Sequence, residues 1–139
     1  MKKLLILLII IFGASKAIAQ ELVKEKHKVV FQMSTANEEE QKGLIKNINN
    51  LFKGWGNNFQ AEVVAHGPGI SFLTKGSTVA KEVETLAAKG IVFVACESTM
   101  AQKDIKNSDL LDGVSTVPMG IAEIIMKQEQ GWAYIKSNF

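Results

Sequence analysis

The chain contains no arginine: all sixteen of its basic residues are lysines. The planar fork that grips phosphate or guanine at two points is therefore missing, and nothing points to nucleic acid as a partner. Cysteine is almost as scarce. Cys96 stands alone, which excludes an internal disulfide and any cysteine-rich metal cluster. The two histidines, His27 and His66, fall at opposite ends of the first two expected strands, so no metal site is expected. No cofactor motif is present either. Gly67-Pro68-Gly69 has Phe72 where a dinucleotide fingerprint needs its third glycine, and no phosphate-loop lysine follows.

Long apolar runs are also absent. The stretch from Leu4 to Phe12 falls short of the roughly 20 residues that cross a bilayer. It follows Met1-Lys2-Lys3 and precedes Ala17-Ile18-Ala19, the small-x-small pattern of a signal-peptidase site. The expectation is a signal peptide over residues 1–19, cut after Ala19, and a periplasmic or secreted protein without a stable membrane anchor; an uncleaved anchor is the alternative. Cleavage removes Lys2, Lys3 and Lys16, so the formal charge falls from +2 to −1, with 13 lysines against 14 acidic residues. Residues 20–139 suffice for one domain with a real core.

Two hydrophobic periods alternate along that domain. Strands are predicted over 28–33, 60–66, 91–95, 114–117 and 132–136. The first helix is capped by Asn37 with Glu40 three residues on. Its apolar face comprises Leu44, Ile45, Ile48, Leu51 and Phe52, at 3.6-residue spacing. A second helix starts near Ser77 or Thr78 and stops at Gly90, short helical pieces occupy 99–103 and 108–111, and a last helix runs from Pro118 to about Gln130. The run Ile91–Ala95 is apolar without alternation, as in a strand covered on both sides. The order implies an α/β fold, a three-layer α/β/α sandwich on a mostly parallel five-stranded sheet.

In such a sheet every strand ends on one edge, where ligands bind. Ser34, then His66 with Gly67 and Gly69, then Cys96 with Glu97, Ser98 and Thr99 all follow strands, so they should gather there. Cys96 has two readings: a small apolar residue ending its strand, or a thiol activated at a helix start with His66 as partner. Glu97 would oppose activation if its carboxylate faced the sulfur. His66 could equally serve only the Gly-Pro-Gly turn, and Glu38-Glu39-Glu40 is read as charge complementing a helix N-terminus. Trp132, Tyr134 and Ile135 could pack internally or against another subunit.

Several phrases taken together carry a resemblance: His66-Gly67-Pro68-Gly69, Leu86-Ala87-Ala88-Lys89-Gly90, Val94-Ala95-Cys96-Glu97-Ser98-Thr99-Met100, Val117 to Ile125, and Gln128 to Lys136. In this order they resemble the DsrE/DsrF-like family (DsrEFH, TusD-like), especially its small exported single-domain members. The resemblance implies assembly into trimers or hexamers. It also implies that a cysteine after a central strand, matched here by Cys96, accepts sulfur as a persulfide from one thiol partner and passes it to another. The reading set against it is a non-enzymatic, oligomeric ligand-binding or assembly module in which Cys96 is structural.

Overall fold

The computed structural model describes residues 26–137; the expected signal peptide lies outside them. Five strands form one sheet: β1 (His27–Met33), β2 (Phe59–Ala65), β3 (Val92–Cys96), β4 (Val114–Val117) and β5 (Ala133–Lys136). Their order is β4-β3-β2-β1-β5, and all four ladders are parallel. The helices are α1 (Glu38–Trp55), α2 (Ala80–Ala88), α3 (Glu97–Gln102) and α4 (Gly120–Glu129), with 3-10 turns at Gly67–Leu73 and Asn107–Asp109.

The side-chain alternation of each strand divides the core. Phe31, Met33, Val63, Ala65, Phe93 and Ala95 face one way and pack with Leu44, Ile45 and Ile48 of α1 and with Val83 and Leu86 of α2. Helix α1 begins where Asn37 Oδ1 accepts the Glu39 and Glu40 amides at 2.9 and 3.2 Å, which satisfies two donors that the helix cannot satisfy itself. Three glutamates then complement its dipole.

The opposite face is thinner. Val30, Val64 and Val94 meet Ile124 of α4, with Val117 and Trp132 at the margin. Glu62 projects into this layer although it is only 3% exposed. Lys127 of α4 holds it, with Nζ 2.7 Å from Oε2, and the same ammonium lies 3.5 Å from Glu123. Burial raises the Glu62 pKa; the lysine opposes that without cancelling it. Every residue of β5 is exposed, as are Met119, Ile121, Ile125 and Met126 on or beside α4.

The Gly-Pro-Gly turn is longer than its three residues: it opens a 3-10 turn that continues to Leu73 and buries Ile70, Phe72 and Leu73. The backbone approaches closely inside it: a Cβ on Gly69 would lie 2.2 Å from the Met33 carbonyl oxygen.

Candidate functional site at the end of β3

Strands β1, β2 and β3 each lead into a segment packed on the α1/α2 face, whereas β4 leads through Pro118 into α4 on the other face. The ends of β3 and β4 are therefore where the connections diverge, the place at which open α/β sheets form their crevice. Cys96 is paired with Val117 at that point. It is also the residue that caps α3, so two helices begin beside its sulfur. The Ser98 amide and hydroxyl both donate to the Pro118 carbonyl, at 3.2 and 2.9 Å, and so tie the two diverging loops together.

The thiol is 5% exposed. Its Sγ accepts the Gly120 amide, first in α4, at 3.2 Å. Burial pushes the Cys96 pKa up, but the Gly120 amide that donates to Sγ and, after it, the nearby Thr99 hydroxyl and the Thr99 and Ser98 amides act against it. The balance lies below an ordinary thiol. The one donor in hydrogen-bond contact with the sulfur is the Gly120 amide at the N-terminus of α4, a favourable place for an anion. Thr99 also accepts the Gly67 amide at 2.9 Å, which fastens the Gly-Pro-Gly turn to α3.

Gly120 is part of the site because it lacks a side chain. A Cβ there would lie 3.2 Å from Cys96 Cβ, 3.2 Å from Val64 and 3.3 Å from His66 Cβ. The same close approach brings His66 beside Cys96 at the sheet edge. The hydrogen bond of the His66 ring is made elsewhere: Nε2 lies 2.7 Å from Gln32 Nε2 of β1, and Gln32 Oε1 accepts the Tyr134 hydroxyl of β5. Burial first, and the charge of Lys136 second, lower the His66 pKa. The ring is accordingly a neutral neighbour of the sulfur rather than a standing cation.

The remaining candidates fall out as follows. Glu97 turns its carboxylate to the Thr116 hydroxyl of β4, 2.6 Å away, so it is engaged with β4. Ser34 is half-buried at the end of β1, next to the backbone that Gly69 approaches. His27 is exposed and stacks on Trp55 at 4.0 Å, at the far end of the sheet. Gly120, Gln32, Tyr134 and Lys136 were not identified as site residues from the sequence. The only signals for them were a glycine two residues after Pro118 and a polar residue near the end of an apolar strand. Among the described residues no group of His, Cys, Asp or Glu could hold a metal ion. No described helix is long and apolar enough to cross a membrane.

The fold defines an open parallel α/β protein with its single cysteine at the point where the crossovers diverge. A sequence model of the DsrE/DsrF-like family matches residues 23–137, and the chain belongs to that family. Among solved structures it is similar to the protein of unknown function MTH1491 from Methanobacterium thermoautotrophicum. That match has a TM-score of 0.77 and 33% identity, over 80% of this chain and 99% of that one. The ychN protein from E. coli shares the fold, with a TM-score of 0.69 and 14% identity, over 79% of this chain and 98% of the other. No curated protein matches.

Proposed function

We propose that this protein is an exported sulfur carrier that holds sulfane sulfur as a persulfide on Cys96. The observation that carries the reading is the thiol at the end of β3, its Sγ accepting the Gly120 amide at 3.2 Å and its pKa lowered by the surrounding donors. A thiolate is the attacking species in sulfur transfer. The Cys96 thiolate attacks the terminal sulfur of a hydropersulfide. A Cys96 S–S bond forms, the donor's S–S bond breaks, and the donor leaves as a thiolate with the bonding pair while the proton stays on the transferred sulfur. No outside oxidant or reductant is needed. A second thiol removes the sulfur by the same exchange. With so little of Cys96 exposed, the donor is a polysulfide or the narrow end of a partner's persulfide. Export rests on the sequence pattern of residues 1–19.

Assembly belongs to the same proposal. Met119, Ile121, Ile125 and Met126, each between 46% and 59% exposed, form an apolar face beside the site that suits a homo-oligomer, a trimer or hexamer. This face also favours a second reading, in which assembly is the function and Cys96 only packs. Intact mass spectrometry after exposure to polysulfide separates the two. The carrier reading expects one added sulfur atom on the native protein, removed by dithiothreitol and absent from Cys96→Ala. An unmodified native protein, or equal addition to the variant, refutes it.

A further inference from the structure

We propose that Gln32 is a positioning residue that fixes the proton of His66 on Nδ1, so that the ring faces the site as a hydrogen-bond donor and not as a base toward Cys96. A neutral imidazole has one donor and one acceptor nitrogen, and the partner of one sets the role of the other. The distal nitrogen, Nε2, is engaged with Gln32 at 2.7 Å. Gln32 belongs to β1, on one side of β2, while Cys96 ends β3 on the other side. Nε2 is therefore committed away from the sulfur.

The orientation of the Gln32 amide decides which nitrogen carries the proton. Tyr134 presents a hydroxyl to Gln32 Oε1, and a phenol is a far better donor than acceptor. This leaves the Gln32 NH2 to face His66, so Nε2 accepts and the proton resides on Nδ1. The reverse amide orientation would make the phenol accept and would place the proton on Nε2. Protonating the ring on both nitrogens would set Nε2–H against the amide N–H, so the same contact also disfavours the cation. The site then offers three N–H donors: the Gly120 amide at the sulfur, the His66 Nδ1–H, and the Lys136 ammonium, near enough to affect the His66 ring. Such a set suits negative charge on the transferred sulfur; this last step rests on the carrier reading above, whereas the proton's location does not.

Two-bond 1H–15N spectra of the 15N-labelled protein at neutral pH distinguish the two neutral tautomers directly, with His27 serving as a second, exposed imidazole. The wild type is expected to show His66 protonated on Nδ1. Gln32→Met is expected to move the population to Nε2–H, the preference of free imidazole. Gln32→Glu is expected to place a proton on Nε2 facing the carboxylate and to raise the His66 titration midpoint. A wild-type spectrum of the Nε2–H form overturns the proposal, as does a His66 signal that both variants leave unchanged. These readouts need no sulfur donor, so a protein that shows the Nδ1–H form but takes up no sulfur would overturn the carrier reading while upholding the role of Gln32.

Discussion

Replacing Gly120 by alanine tests the amide cradle with a single methyl group. Gly120 does not have a positive φ, so the backbone tolerates alanine and only space is at issue. The new Cβ would meet Cys96 Cβ and Val64 Cγ1 at 3.2 Å and His66 Cβ at 3.3 Å. Two of these atoms are fixed by strand-end backbone and cannot rotate away. The first turn of α4 must therefore move outward, which lengthens the 3.2 Å bond from Gly120 N to Sγ. Overpacking of this kind costs about 1–3 kcal/mol. A hydrogen bond to a charged group contributes about 1.5 kcal/mol at the lower end, so its loss raises the thiol pKa by about one unit.

The alkylation rate against pH reads this directly. Below both midpoints the rate should fall only about three- to fourfold, because the more basic thiolate is also the better nucleophile. The midpoint itself should move up. Stability should follow with a defined sign. A thiol whose folded pKa is lowered contributes stability that is fully present above the unfolded pKa, about 8.5, and is lost as pH falls through the folded value. The gap between wild type and Gly120→Ala should therefore widen as pH rises across that interval. A variant with lower stability and an alkylation profile superimposed on the wild type would show that the Gly120 amide does not hold the thiolate.

Two further substitutions probe the layers that support the site. Lys127→Met removes the partner of Glu62, whose side chain is 5% exposed, and breaking a buried pair from one side costs about 3–5 kcal/mol. Because burial raises the folded pKa of Glu62, its contribution is intact below the unfolded carboxyl pKa and is lost as pH rises through the folded one. Urea titrations should accordingly show a larger deficit for the variant at pH 7 than at pH 4, and an equal deficit at both would refute the assignment. Asn37→Ala should cost about 1 kcal/mol and Asn37→Gly only a few tenths, because glycine keeps much of the capping preference. Thermal unfolding that ranked glycine below alanine would contradict the cap seen at Glu39 and Glu40.

What could be read from the chain itself was whatever depended on neighbours in sequence. The strand at Val114–Val117, the Asn37 cap and the all-apolar β3 follow from local pattern. The rule that parallel strands end on one edge then puts His66, Gly67, Cys96 and Thr99 within one region. The 3-10 turn over Gly67–Leu73 is not legible because its two glycines and proline dominate the local signal, while the apolar Ile70, Phe72 and Leu73 that bury it follow behind. Gly120 escaped notice because it contributes a backbone amide and an absent Cβ, to a residue 24 positions away. Glu62 reads as an ordinary solvent-facing position of an alternating strand. Its burial depends on Lys127 arriving from α4, which no local pattern announces.

The strand order carries a kinetic consequence. The chain lays down β1 to β4 by stepping in one direction, then returns across the whole sheet through α4 to place β5 beside β1. That last step brings Gly120 to the sulfur and Tyr134 to Gln32, a pair 102 positions apart. Closing so wide a loop comes with a large entropic cost and favours late formation. Until it closes, Cys96 lacks the α4 amide and should behave as an ordinary thiol. A thiol pKa held down by the Gly120 amide is thus a property of the completed fold: the same residue on a partly unfolded chain should keep the pKa of an ordinary thiol.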